Sequence, residues 1–390
     1  MEVYTRDRDF KKLDIIDNFH SCIWTERYYG DSAVELVVPA TLDMMSKLPN
    51  GIFLSIDQSD ELMIIETKGI EDGKLKCLGM SVLQWLNNRF VRASSKHDAR
   101  HWRISGLKPG HVLWNIVEKM CTENSPYLTG AINTGITNPQ QLAIPRLGLF
   151  DYDKSGSNIV IAVPYGPVYD ALRKIAITHR IGMQIILSGE IQGHGSSEGE
   201  QIFFLGFRSY KGLDRTSAQT ALPPVRFSAL MDSLIDIKEV DSITALKTAV
   251  WAFAPGLIPK TLQTTPGVSR LAGEEYTGFD LRAEMIFAED LDTDVDDTLT
   301  QAEVRTLLKA RALDRLKESP HIQAVDGEIV STSQFKYGRD YSLGDLIEVQ
   351  GNSQVVSVCR VIEHIRAQDD AGERAYPTVQ NIDDEETVDS

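Results

Sequence analysis

The chain has 390 residues, enough for roughly two to four compact units. Hydrophobic residues make up 42%, an ordinary share for a globular protein with real cores. No apolar run reaches the roughly 18 residues a membrane helix needs. The formal charge of −16 is concentrated rather than global: 284–297 holds seven acids and no base, and 367–390 holds eight acids against Arg374 alone. The remaining body is nearly neutral and shows no Lys/Arg stripe, which argues against a nucleic-acid groove. The opening Met1 to Asp9 is charged from the start and lacks the apolar centre of a signal peptide, so synthesis and folding in the cytoplasm are expected.

The first 80 residues read as strands. Val34, Leu36 and Val38 alternate around Glu35 and stop at Pro39, and the run Leu62 to Ile65 leads through Asp72-Gly73 to Leu75–Leu78. Asp-Gly between two such runs predicts a hairpin, because both turn residues tolerate positive φ. Helix-like spacing follows at 80–91 (Met80, Leu83, Leu86) and 111–121 (Val112, Ile116, Val117, Met120). Pro167 marks a helix start, with Leu172, Ile175, Ala176 and His179 on one face and Gly182 as the stop. Strands are predicted at 183–188 and 202–207, joined by the Gly- and Ser-rich loop 189–200. Region 208–250 is again strand-like around Val225 to Ser228. A helix is predicted at 300–317, with Thr300 and Glu303 as a capping box and Val304, Leu307, Leu308, Ala312 and Leu316 as its apolar face. Residues 322–366 return to strand character, although Val358, Val361, Ile362 and Ile365 fit a helix equally well. The acidic stretch from about 367 reads as a mobile or partner-bound tail.

Candidate chemistry is thin. Cys22, Cys77, Cys121 and Cys359 are each more than 40 residues from the next, so they read as buried packing residues rather than a zinc or disulfide set. His97 and His101 stand at i, i+4 with Asp98 between them, but the metalloprotease pattern requires Glu there and no third ligand is near. A solvated connector is the better reading. Asp290, Asp292, Asp294 and Asp296 resemble a calcium loop until Val295 replaces its glycine and Gln301 its final glutamate. They fit a charged linker before a helix. Gly193, Gly195 and Gly199 miss the dinucleotide fingerprint by one residue and fit a hairpin tip. Trp24, Trp85, Trp102, Trp114 and Trp251 are scattered, as core or interface anchors are. No nucleophile elbow, Walker loop or catalytic cysteine signature is present. No catalytic or metal residue is assigned, and no cofactor is expected.

Four segments taken together resemble the siphophage minor tail proteins related to the tail hub, which close the tail tube at its tip. They are Ser21 to Tyr28 followed by Glu35 to Pro39; Leu83 to Arg89; Gly212 to Thr216 followed by Val225 to Ser228; and Tyr337 to Asp345. They occur in family order across about residues 1–366. The resemblance implies a mainly β chain with α+β parts, in which two small tail-tube-like β-barrel hub domains are joined by helix-containing connecting domains. By analogy, 1–95 is the first barrel and 96–207 an α+β connecting domain. Residues 208–245 with 321–366 form a second, split barrel around an inserted α/β segment, 246–320, and 367–390 is an acidic tail. It also makes 358–365 a strand.

The implied work is structural: closing the distal tail tube, contacting the distal tail, tail tube and tape-measure proteins, and opening for DNA. A homotrimer is implied, because three chains with two similar barrels match a six-fold tube. DNA is met only in passing, with the acidic clusters near the lumen or tip and Asp72-Gly73, 189–200 and 367–390 as contact elements. Two alternatives stand beside this reading. A tail-associated peptidoglycan hydrolase or peptidase would rest on the imperfect His97/His101 pair. A receptor- or carbohydrate-binding baseplate component is not favoured by an aromatic content of 8%.

Overall fold

The computed structural model describes residues 1–92, 101–129, 138–192, 200–228, 235–254, 277–288, 301–317, 322–328, 335–350 and 356–382, with 231, 233, 267–268 and 319. The N-terminal part contains β1 (Val3–Arg6), β2 (Lys12–Ile16), β3 (Ser21–Arg27), β4 (Ala33–Pro39), α1 (Leu42–Lys47), β5 (Phe53–Ile56), β6 (Met63–Glu71) and β7 (Lys74–Ser81). These strands pair antiparallel in the order β3-β4-β7-β6-β5-β1-β2. The alternation read in β4 is realised: Val34, Leu36 and Val38 are buried with Trp24, Cys22 and Cys77 in one core. Asp72 (φ 49) and Gly73 (φ 73) form the two-residue turn between β6 and β7, which pair from Glu71↔Lys74. Positive φ at both positions suits the right-handed twist of the hairpin. Thr41 caps α1 by accepting from the Met44 N–H at 3.2 Å.

The predicted helix at 80–91 is a 3-10 helix at Val82–Asn88. Its apolar residues Leu83 and Leu86 stand three apart, which suits three residues per turn. Next come β8 (Phe90–Val91), β9 (His101–Leu107), α2 (Pro109–Cys121), β10 (Leu147–Leu149), β11 (Ile159–Pro164), β12 (Gly166–Pro167), α3 (Val168–His179), β13 (Gly182–Gln192) and β14 (Glu200–Tyr210). The sheet β10-β14-β13 and helices α2 and α3 bury Leu113, Ile116, Leu172, Ile175, Leu205 and Phe207 in a core that also reaches Leu62 and Leu86. Helix α3 ends at Arg180, in the left-handed region at φ 55, and not at Gly182 as predicted. Gly182 serves another purpose. A Cβ there would lie 2.2 Å from a ring carbon of Tyr28, so its glycine permits β13 to approach β3's end.

The remaining elements are β15 (Arg226–Ser228), β16 (Ile235–Ser242), β17 (Ala249–Phe253), β18 (Gly267–Val268), β19 (Ala283–Phe287), α4 (Gln301–Lys317), β20 (Ile322–Glu328), β21 (Leu346–Gln350), β22 (Val356–Asp369) and β23 (Gly372–Asn381). Helix α4 lays the predicted face, Val304, Leu307 and Leu308, against Ala254 and Ala288 at the ends of β17 and β19. Arg315 donates to both carboxylate oxygens of Glu284, at 2.9 and 3.0 Å, so that acid is paired and not part of a free acidic cluster. Among the described residues no helix is long and apolar enough to cross a membrane.

Strand β22 decides the architecture. Its first half pairs with β21 (Leu346↔Arg360 to Gln350↔Val356), and its second half pairs with β3 (Glu363↔Arg27 to Asp369↔Ser21). The ambiguous 358–365 is therefore strand, because its backbone finds ladders on both sides. One sheet of 13 strands results, along the path β16-β20-β23-β22-β3-β4-β7-β6-β5-β1-β2 with β15 and β21 beside it. The fold is mainly β with a few helices, and this pairing closes no barrel among the described residues. The tail predicted from 367 must be corrected. Residues up to Asn381 form β23, which returns along β22 from the turn Asp369↔Gly372 and buries Val379. Asp370 and Glu373 lie at that exposed turn, which is why the segment reads as polar in sequence.

Candidate functional site

All four cysteines are buried, as packing residues are, and burial pushes the Cys22, Cys121 and Cys359 thiols up to about 12. Among the described residues no group of three or more His, Cys, Asp or Glu is placed to hold a metal. His101 starts β9, opposite Pro164, and so is not on a helix; His97 lies outside the described residues. Asp290 to Asp296 and Gly193, Gly195 and Gly199 also lie outside them, although β13 and β14 do pair up to Gln192↔Glu200 as a hairpin requires. Trp24 and Trp102 are buried anchors, and the Trp114 indole donates to the Phe150 carbonyl at 2.9 Å.

What the fold does assemble is a buried polar joint where β3, β22 and β13 converge. In the β3·β22 ladder Glu26 faces His364 directly. Glu26 is 5% exposed, Glu61 3% and His364 1%. The Ser59 hydroxyl donates to Glu26 Oε1, and Arg366 Nη1 stands 3.8 Å from Glu26 Oε2 while donating to the Gln58 carbonyl at 2.9 Å. Behind them Gln184 Nε2 on β13 donates to Glu61 at 2.8 Å, and Gln184 Oε1 accepts from Arg208 Nη2 on β14 at 2.7 Å. The Tyr337 ring stacks on His364, with centroids 3.6 Å apart and planes 8° apart. Hydrogen bonds from Ser59, Gln184, Arg208 and Arg366 thus hold these parts of the chain together in a water-poor setting, where a broken one is costly, while Arg366 and His364 approach Glu26 Oε2 only to 3.8 and 3.9 Å.

Burial sets the charge states. It raises Glu26 above the usual carboxylate range, against the opposing pull of Arg366. Burial, then the Glu26 charge, lifts Glu61 to about 8, and burial, then Arg366, lowers His364 to about 3. His364 is therefore neutral and Glu61 mostly protonated near neutrality, which suits a fastening rather than a proton relay. The two groups impose opposite pH slopes. Glu61 holds its proton longer in the folded state, so its contribution falls as pH rises from 4.5 through 8. His364 resists protonation when folded, so stability is lost as pH falls from 6.5 through 3. Urea midpoints measured across pH are expected to peak between these limbs, with Glu61→Gln flattening the alkaline limb and His364→Phe the acid one. Unchanged limbs in both variants would refute the assignment.

A second junction brings together segments singled out in the sequence. Asp345 Oδ1 accepts from the Leu213 N–H at 2.7 Å, and Leu346 and Arg215 exchange backbone bonds with Leu213 and Leu346 at 2.9 and 2.8 Å. Arg226 of β15 donates to Glu348 of β21 at 2.8 Å across a parallel pair. Tyr341 and Phe227 meet edge to face at 5.2 Å. Thus Gly212 to Thr216, Val225 to Ser228 and Tyr337 to Asp345 form one local unit, with Tyr28 above it: the fully buried Arg360 guanidinium lies 5.7 Å from the Tyr28 ring. The polar joint itself was missed. Its available signal was an acid, Glu26, on the same strand face as Trp24 and Tyr28, and the basic residue types Arg360, His364 and Arg366 at even spacing in β22.

Comparison with known proteins bears on this arrangement. No curated protein sequence matches the chain. Two solved structures are similar over nearly their whole length: a tail protein from Neisseria meningitidis MC58 (11% identity, 98% of this chain and 96% of that one, TM-score 0.53), and the prophage MuSo2 tail protein from Shewanella oneidensis (11% identity, 97% and 98%, TM-score 0.53). At that identity they speak for the fold alone. The model of one family, the Siphovirus ReqiPepy6 Gp37-like protein, matches residues 1–379, which takes in both junctions and ends within β23. The chain, with the fold of phage tail proteins, belongs to the Siphovirus ReqiPepy6 Gp37-like protein family.

Proposed function

We propose that this protein is a hub or minor tail protein of the tail tip, closing the distal end of the tube and linking it to the distal tail and tape-measure proteins. The observation that carries the reading is the unbroken sheet through β22 and β3, fastened by the Glu26, His364 and Arg366 joint. A part that bears force between a tube and its tip must transmit it without its units slipping, and a shared ladder with a buried polar clasp does that. On this reading 1–95 is one tube-like barrel, 208–245 with 321–366 is the other, extended by β23, and 96–207 and 246–320 are decorations. Three chains form the ring, the tail tube protein abuts it, and DNA only passes through its lumen. The role is mechanical, with no catalysis, and the protein resides in the virion.

Electron microscopy of intact tails labelled with an antibody against this chain tests the proposal. Label confined to the tail tip is expected. Label along the tube, or none on the virion, would overturn it.

A further inference from the structure

The unit made of β17, β18, β19 and α4 is built apart from the rest of the molecule. Its sheet, β18-β17-β19, shares no strand pairing with the other sheets among the described residues. Its core is its own: Val304, Leu307 and Leu308 pack on Ala254 and Ala288, and Ala312 and Leu316 on Val250. By contrast, 1–95 and 96–207 share one core, in which Phe53 and Leu62 cluster with Leu172 and Phe207. Units that share a core move together, whereas units joined by a small, part-polar contact are expected to move against each other.

The chain enters and leaves this unit at one place. Strand β16 leads in and β20 leads out, and they pair side by side as far as Ser242↔Ile322. Beyond that pair the incoming chain runs as an exposed link, Ile243 to Ala245, and the Lys247 N–H donates to the Ser319 carbonyl at 3.0 Å. Two adjacent passes leave an axis about which the unit can turn, with a few non-repetitive residues to absorb the change in φ and ψ.

Helix α4 runs past β11 and α3, and a cleft of about 540 Å³ remains between them. Val160 of β11 lines one wall, and Ala310 of α4 and Phe287 of β19 line the other. In β11 the alternate residues Ile159, Ile161 and Val163 pack on the shared core, which turns Val160 toward the cleft. Val160 is 45% exposed and Phe287 63%, so both walls leave apolar surface in water. The charged side chains at the cleft, Asp170 and Lys174 on α3 and Arg311 and Asp314 on α4, include both signs on each wall. Contacts among exposed charges hold such walls in place only weakly.

We infer that this unit is a hinged arm, which swings about the paired passes at Ser242 and Ile322 and closes by bringing Phe287 and Ala310 onto Val160. Closure removes apolar surface on both walls from water, while opening breaks no ladder and no shared core, so both states are populated. Such an arm moves without disturbing the sheet through β3 and β22, whatever part the protein plays in a tail.

Distances between spin labels on the full chain, read by double electron–electron resonance, provide the test. All four native cysteines are buried, so the labels go to introduced ones. The exposed pair Glu123→Cys and Lys309→Cys spans the hinge, and Glu123→Cys with Lys74→Cys lies within the part that shares a core. Two resolved distances are expected for the first pair and one for the second. Val160→Asp and Phe287→Asp alter exposed side chains and are expected to keep the wild-type circular dichroism. Each should deplete the same one of the two distances by about tenfold, because closure then buries a charge. A single distance for the first pair, as narrow as that of the second, overturns the arm. Populations that the two aspartate variants do not shift together overturn it as well. The measurement needs no virion, so its failure leaves the tail-tip labelling standing, and the reverse also holds.

Discussion

Replacing Arg366 by Met is expected to lower the unfolding free energy by about 3–5 kcal/mol, because it leaves a buried carboxylate without its cation. Glu26 is 5% exposed, and Arg366 Nη1 at 3.8 Å is the charge opposing the upward drive of burial on its pKa. Without Arg366 the folded pKa of Glu26 rises further above its ordinary 4.5. A group raised in the folded state loses its contribution as pH rises, so the penalty should be smallest in acid and grow toward neutrality. The double variant Glu26→Gln with Arg366→Met should recover much of the loss, since neither charge is then buried alone. Denaturant unfolding of the wild type, the two single variants Glu26→Gln and Arg366→Met, and the double variant at two pH values measures this directly. A loss under about 1 kcal/mol for Arg366→Met, or no recovery in the double variant, would mean that the joint is not coupled as described.

A second large effect is expected at Gly212. A Cβ built there falls 2.0 Å from the Gly344 carbonyl carbon and 2.2 Å from the Asp345 nitrogen. Both are backbone atoms, and Gly344 is itself constrained at φ 87 beneath the Tyr28 ring. No rotamer change can relieve the contact, so Gly212→Ala must part the two segments and break the Leu213 to Asp345 bond. A loss of about 3 kcal/mol is expected, at the upper end for an overpacked site. Gly69→Ala serves as the control, since nothing lies within 4 Å of its added Cβ. Its effect should stay within about 0.5 kcal/mol. Equal midpoints for the two variants would contradict the packing described at this junction.

The sequence by itself determined what depends on neighbours along the chain. Alternation in Val34, Leu36 and Val38, the Asp72-Gly73 turn and the α4 face were legible because strand, turn and helix each impose a local period or φ. The motif segments at 212–216, 225–228 and 337–345 were also visible, as pieces in an order. Only the tertiary structure decided how they meet. Whether 358–365 was helix or strand turned on β3, a ladder partner more than 300 residues away that no local propensity encodes, whereas 367–381 pairs with its neighbour β22 and was hidden by the polar residues at the turn Asp369↔Gly372. The polar joint is of the same kind. Glu26, Glu61 and His364 acquire their charge states from burial and from one another's charges, so their chemistry exists only once β3, β13 and β22 have come together.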